Sequence, residues 1–305
     1  MKKISLFLIV KLALVVQVFG QQDAMFSQYM FNMMLVNPAY TGSRDVLSLN
    51  ALYRKQWVNL AGAPETMTFS ADMPISNEKM GIGLTVFNDK IGVINNTGFY
   101  ANYSYRVHMT NNSTLAMGVN AGLTNYTANL SRVSFADDGS SDNAFAANTS
   151  KILPNVGFGL FYSSDKYYVG LSMPHVLDNK LESGAGLTAR QFRHAFLMGG
   201  YVFDLNHNFK LKPSALIKQV SGAPIQADIN LNLWLYDRFG LGISYRSLDA
   251  PVAMIEIQIT DQLRFGYAFD YSTTRLRNYN SGTHEVMLRY EFGYDKAKVL
   301  TPRYF

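Results

Sequence analysis

From Asp45 to near the end of the chain, apolar and polar residues alternate with period two. The clearest run is 224–236, where Ile225, Ala227, Ile229, Leu231, Leu233 and Leu235 share one face and Gln226, Asp228, Asn230 and Asn232 share the other. Ile255, Ile257 and Ile259 alternate with Met254, Glu256 and Gln258. Leu263, Phe265, Tyr267, Phe269 and Tyr271 alternate with Arg264, Gly266, Ala268 and Asp270, and Val286, Leu288, Tyr290 and Phe292 with Met287, Arg289 and Glu291. Successive side chains of a strand point to opposite faces, so this period predicts strands with two unlike surroundings. The pattern predicts fourteen, at 44–57, 66–74, 79–87, 97–107, 114–127, 153–163, 166–173, 191–203, 209–219, 224–236, 239–247, 251–260, 262–272 and 283–294. Connections after even-numbered strands are short and polar, and those after odd-numbered strands are generally longer, the longest near 128–152, 174–190 and 273–282.

That parity is expected of a transmembrane barrel, which has short periplasmic turns and longer outer loops. A soluble sandwich gives no reason for it. The polar face carries Gly, Asn, Thr and charges of both signs, whereas a water-facing sheet would carry more Lys and Glu. Arg or Lys on the lipid side costs about 2–4 kcal/mol at the midplane, so the apolar face is assigned to lipid and the polar face to a lumen. The reading is an all-β, antiparallel transmembrane β-barrel of about fourteen strands over 44–294, placed in the outer membrane with both termini in the periplasm. Its lumen would be lined by Arg106, Asp228, Arg246, Glu256, Arg264, Asp270, Arg289 and Glu291. Charges of both signs in nearly equal number point to internal ion pairs and a plugged interior, since a selectivity ring would carry a single sign.

The ends of the chain read differently. Residues 1–20 have the form of a secretory signal peptide, with Lys2 and Lys3 before an apolar run and cleavage predicted after Gly20. Residues 21–43 form a short N-terminal segment in which Met25, Phe26, Tyr29, Met30, Met33 and Met34 recur at helical spacing. It predicts a short amphipathic helix packed on or in the barrel, ended by the turn Asn37-Pro38-Ala39-Tyr40-Thr41-Gly42. Exposed in the periplasm, the same segment would be a docking element. Residues 295–305 are a C-terminal tail.

Composition narrows the function. Charged residues make up 16% of the 305-residue chain, and aromatic residues 13%; soluble domains average about 25% charged. The mean hydropathy of −0.03 is what alternating strands average to. Loss of the signal peptide removes three lysines and no acid, lowering the formal charge from +5 to +2, so the pI of 9.1 is no sign of nucleic-acid binding. The absence of cysteine excludes disulfides, thiolate metal sites and a lipoprotein anchor.

No constellation carries catalysis. His108, His175, His194, His207 and His284 are scattered, without a second His or acid at metal-ligand spacing. No motif joins a nucleophile to a base, so no enzyme activity, metal or cofactor is expected. Gly81-Ile82-Gly83, Gly157-Phe158-Gly159 and Gly240-Leu241-Gly242 lack the context of a phosphate loop and read as small inward residues of barrel strands. Asp137, Asp138 and Asp142 lie in the longest loop without EF-hand spacing, as a solvated loop or a partner contact. Arg54 and Trp57 stand near a strand end, as an interfacial anchor or a partner site.

Three N-terminal blocks carry a family resemblance: MFSQYMFNMMLVNPAYTGSR at 25–44, LYRKQWVNLAGAPETMTFSADMPI at 52–75 and GIGLTVFNDKIG at 81–92, with TPRYF at 301–305. The chain resembles the PorP/SprF family of type IX secretion and gliding-motility membrane proteins. Met33 stands where many members have Pro after Phe-Asn. The resemblance implies an outer-membrane barrel of type IX machinery, in contact with lipid and binding no nucleic acid. Its partners would be a secreted surface adhesin with a type-B C-terminal domain, or the periplasmic ring and its peptidoglycan-linked components. Candidate partner contacts are Met25, Phe26, Tyr29, Met30, Asn37, Pro38, Tyr40, Arg54, Trp57, Asp137, Asp138 and Asp142. The competing readings are a channel for small solutes and a membrane hydrolase or acyltransferase, the latter disfavoured by the missing motif.

Overall fold

The computed structural model describes residues 25–75, 78–109, 112–132, 148–179, 191–221, 223–247 and 250–292. The predicted cleavage site, Asp137, Asp138, Asp142 and the C-terminal tail lie outside them.

One antiparallel sheet closes on itself. Its segments are β1 (Leu47–Lys55), β2 (Glu65–Ile75), β3 (Met80–Ile91), β4 (Ile94–Met109), β5 (Ser113–Ala128), β6 (Thr149–Ser163), β7 (Tyr167–His175), β8 (His194–Tyr201) and β9 (Phe203–Asp204). They continue as β10 (Phe209–Val220), β11 (Gln226–Leu235), β12 (Phe239–Arg246), β13 (Pro251–Gln258), β14 (Leu263–Asp270) and β15 (Thr283–Phe292). β8 and β9 are one strand interrupted at Val202, both pairing with β10, so the barrel has fourteen strands. Each strand pairs with its sequence neighbours, and the seam joins first to last, with Leu47 opposite Phe292 and Lys55 opposite His284. Closure leaves no unpaired edge, which a sheet in hydrocarbon requires.

The two faces separate as the alternation predicts. Val119, Leu123, Phe158, Leu171, Ile229 and Ile243 point outward and are exposed. An apolar exterior of this extent marks a lipid contact. Tyr162, Tyr167, Tyr201 and Phe203 lie ring against ring around the short-turn end, and Tyr290 lies against Phe292, as in an interfacial aromatic girdle. No helix among the described residues is long and apolar enough to cross a membrane; the strands cross it.

Two elements depart from expectation. β3 and β4 run past 87 and begin before 97, joined by a two-residue turn at Gly92 and Val93 with Gly92 at φ 56°. The polar residues there read as a loop because the hairpin's outward row turns polar at Asn88, Lys90, Asn95 and Thr97. They remain in the ladder, where Asn88 Nδ2 donates to Asn95 Oδ1 at 3.0 Å and to Thr97 Oγ1 at 2.8 Å. The N-terminal segment is not an amphipathic α-helix. It runs through the lumen as three 3-10 turns, Tyr29–Phe31, Met33–Leu35 and Pro38–Tyr40. Its helical spacing gave it one apolar face, yet Tyr29, Met30, Phe31, Met33, Met34, Val36, Ala39 and Tyr40 are all buried, leaving no side for solvent.

The segment also sets the direction of the chain. Ser27 lies beside Asp270 and Glu285 at the long-loop end, and Gly42 beside Asp72 near the short-turn end, where β1 begins and β15 finishes. The described residues therefore begin near the long-loop mouth of the barrel and end near the short-turn mouth.

Candidate functional site

The candidate site is the lumen and the plug that fills it. An irregular chain buried away from water must find partners for its backbone groups, and here the wall supplies them. Glu285 accepts from the N–H groups of Ser27 at 2.9 Å and Gln28 at 2.8 Å. Arg289 donates to the Phe31 carbonyl. Ser172 Oγ donates to the Val36 carbonyl at 2.8 Å and Ser104 Oγ to the Thr41 carbonyl at 2.6 Å. Asp72 accepts from the Gly42 N–H at 2.7 Å. Asn37 works both ways: its Oδ1 caps the third turn by accepting from Ala39 N–H at 3.0 Å, and its Nδ2 donates to the Leu160 carbonyl at 2.9 Å.

Glycines on the inward face make room. A Cβ on Gly118 would fall on the backbone of Ala39, one on Gly81 on the Thr41 carbonyl, and one on Gly159 on the Asn37 amide. The glycine pairs of the sequence thus divide. Gly81, Gly83 and Gly159 seat the plug, whereas Gly240 and Gly242 face neighbouring wall side chains. Apolar contacts complete the seat. Tyr40 meets Phe161 edge-on at 5.4 Å, Phe31 meets Trp234 edge-on at 6.3 Å, and Lys212 Nζ lies over the Phe31 and Tyr168 rings at 5.9 and 5.8 Å.

The charges pair along the inner wall, between strands near one another in the sheet. Arg54 contacts Asp270 at 2.8 Å and Glu285 at 2.9 Å, with all three side chains under 5% exposed. Arg246 meets Asp228 at 3.2 Å, and Arg264 meets Glu256 at 2.9 Å and lies over the Trp234 ring. Two pairs join the plug's lower end to the wall: Arg44 with Glu291 at 2.8 Å, and Asp45 with Arg106 at 2.7 Å. Arg106, Asp228, Arg246, Glu256, Arg264, Asp270, Arg289 and Glu291 all lie on the inward face.

Seven of the candidate partner contacts, from Met25 to Tyr40, lie in the plug. Tyr29, Met30, Asn37, Pro38 and Tyr40 are buried in the plug, the Tyr29 hydroxyl accepting from Asn230 Nδ2 at 2.8 Å. Phe26 is buried and Met25 half-buried at the tip. Arg54 is an inward residue of β1, held by its ion pairs away from the interface. Trp57 is half-buried in the β1–β2 connection at φ 45°, its N–H donating to Thr283 Oγ1 at 3.2 Å. Glu285, Asp72 and Arg44 went unnoticed in the sequence. Glu285 was within reach, since one further step back along the β15 alternation from Met287 places it on the lumen face.

Among the described residues no group of His, Asp and Glu is arranged to hold a metal ion. A family model described as type IX secretion system membrane protein PorP/SprF matches residues 18–290. No curated protein matches the chain. Among solved structures, the Ralstonia pickettii toluene transporter TbuX is similar over 86% of this chain and 93% of its own, at 10% identity and a TM-score of 0.51. The CymD monoaromatic hydrocarbon channel is similar over 90% of this chain and 95% of its own, at 12% identity and a TM-score of 0.50. At these identities the likeness is one of fold.

Proposed function

Because the chain belongs to the PorP/SprF family of type IX secretion system membrane proteins, we propose that it is a sealed, non-enzymatic outer-membrane scaffold that helps export or hold a surface adhesin through that adhesin's type-B C-terminal domain. The observation that carries the reading is the plug. The lumen holds residues 25–45 along its length, tied to the wall by side chains at both ends. A barrel filled by its own chain is suited to binding at its rims rather than to conducting through its interior.

In this reading the short-turn end faces the periplasm and the long connections face outward, as in other outer-membrane barrels. Cargo then meets the outer rim, and the periplasmic rim with the C-terminal tail meets the secretion ring. Met25, where the described residues begin, then lies toward the outer mouth.

The test is a pull-down of the tagged protein from detergent-solubilised outer membranes. A large secreted protein recovered through its C-terminal domain supports the cargo role. Ring lipoproteins alone would move the assignment to motor docking. Neither, from cells expressing both, would overturn the scaffold reading in favour of a small-solute channel, which planar-bilayer recordings would then have to show as a large, steady conductance.

A further inference from the structure

The outward face of the barrel changes chemistry toward its long-loop end, and it does so unevenly. Across the seam one outward row runs Tyr267, Val286, Tyr53, Met67, Asn88 on adjacent strands, and the next row toward the long loops runs Phe269, His284, Lys55, Glu65, Lys90. An apolar exterior with Met67, Phe69, Val86 and Val286 exposed thus gives way to two exposed lysines. They stand two strands apart, about 10 Å at the backbone. Beyond them the β14–β15 connection carries exposed Arg275 and Arg277 in a 3-10 turn, with Tyr279 70% exposed beside them. That connection is tied down onto the one that follows Lys55. Ser281 N–H donates to the Val58 carbonyl and Val58 N–H to the Gly282 carbonyl, both at 2.9 Å, and Asn59 Nδ2 donates to Ser281 Oγ at 2.8 Å.

The acid in the row is Glu65, which accepts from the Tyr53 hydroxyl at 3.0 Å and lies 3.8 Å from Lys55 Nζ. An exposed pair at that distance is weak, so the row stays cationic. Around the barrel, outward positions near the same end of β10 to β13 are Gln219, Ile229, Tyr245 and Pro251, none of them charged. Arg193, just before β8, pairs with Asp178 at 3.0 Å. Positive charge is therefore gathered on the sector from β15 to β3, where the apolar exterior ends. Parity favours a lipid over a protein there, because Lys55 and Lys90 belong to the lipid-facing side of the wall and not to the mouth of the barrel. We propose that this sector binds the phosphate groups of a glycolipid in the outer leaflet. Lys55 and Lys90 meet the phosphates from the wall, Arg275 and Arg277 meet them from the loop, and the acyl chains lie along Met67, Phe69 and Val86. Lys and Arg are the side chains that hold phosphate, and clusters of them at a membrane surface recognise anionic headgroups. The proposal takes from the preceding section only the orientation that puts the long connections outside the cell.

The experiment is native mass spectrometry of the full-length protein in detergent, titrated with bisphosphorylated lipid A and with the same lipid stripped of its phosphates. The phosphorylated form should bind roughly tenfold or more tightly. Each cation near a membrane surface contributes about fivefold, so Lys55→Gln with Lys90→Gln should weaken binding about 25-fold, as should Arg275→Gln with Arg277→Gln. Glu65→Gln should tighten it several-fold, and Arg193→Gln should leave it unchanged. Heat-modifiable electrophoretic mobility verifies that each variant barrel is assembled. Equal retention of the two lipids, or undiminished binding in the double lysine variant, would overturn the site. Undiminished binding in the double arginine variant would remove the loop from it. Tighter binding of poly-glutamate than of the lipid would overturn the glycolipid in favour of an acidic protein segment. Orientation is read separately. The chain has no cysteine, so Asn278→Cys should react with a membrane-impermeant maleimide on intact cells. Labelling only after lysis would overturn the outer-leaflet assignment together with the orientation it rests on, whereas lost lipid selectivity in a protein that labels on intact cells would overturn the site alone.

Discussion

Replacing Glu285 by alanine should release the tip of the plug while leaving the lumen blocked. Glu285 accepts from Ser27 N–H at 2.9 Å, Gln28 N–H at 2.8 Å and Arg54 Nη1 at 2.9 Å. Hydrogen bonds to a charged group contribute about 1.5–3 kcal/mol each. Losing the two backbone bonds at the low end of that range removes about 3 kcal/mol, on the order of a hundredfold in the opening equilibrium of the tip. Arg54 is not stranded, because it keeps Asp270 at 2.8 Å. The barrel is therefore spared the 3–5 kcal/mol that follows when a buried charge loses its partner. Below the tip, Asn37, Thr41 and Gly42 remain tied to Leu160, Ser104 and Asp72. The assay is amide hydrogen exchange on peptides covering 25–31, with planar-bilayer conductance beside it. Exchange at Ser27 and Gln28 should quicken about a hundredfold in Glu285→Ala and about tenfold in Glu285→Gln, which keeps one neutral acceptor. Conductance should stay at the wild-type level in both. Unchanged exchange in the alanine variant would refute the latch, and a steady open pore would refute the independent hold of the lower plug.

Gly118→Leu should push a side chain into the backbone of Ala39 and Pro38. Overpacking of this kind costs about 1–3 kcal/mol or more, and the temperature at which the folded barrel is lost on electrophoresis should fall by about 5 °C. Phe161→Ala removes a side chain 1% exposed that contacts both Tyr40 and Tyr168; unfolding in denaturant titrations should show a loss of about 3–5 kcal/mol. Val119→Arg, in the middle of the outward apolar stretch of β5, should cost about 2–4 kcal/mol. Asn125→Arg, at the next outward position past Leu123 in the polar row, should cost less than about 1 kcal/mol by the same titration.

The wall of this barrel was legible because lipid and lumen impose opposite chemistry on successive residues. Arg246, Glu256 and Arg289 can be placed inward from parity alone, and all three are buried. The plug was harder to read for a physical reason. A segment enclosed on every side has no polar face, so the Met and aromatic residues of 25–34 matched a helical period without forming a helix. Its backbone geometry is set by wall side chains more than two hundred residues away, such as Glu285 and Arg289, and no local propensity encodes such contacts. Arg54 stands next to the exposed Lys55 at the end of β1. Its parity, shared with Asn50 and Leu52, places it in the lumen.

The latch also bears on how the barrel closes. Arg54 and Glu285 are registered partners across the seam between β1 and β15. The inward row of β15 then meets the plug at successive heights: Glu285 holds Ser27 and Gln28, Arg289 holds the Phe31 carbonyl, and Glu291 pairs with Arg44. The strand that shuts the barrel is thus the strand that holds the plug at both its ends. A sheet with β15 unpaired would leave Ser27, Gln28 and Arg44 without these partners, and a plug drawn out of the lumen would leave Glu285 and Arg289 with fewer donors and acceptors at the seam. Each buried charge left short of partners is costly, so seam closure and plug docking favour one another. On this argument the seal is part of the folded barrel, and no partner protein is needed to form it.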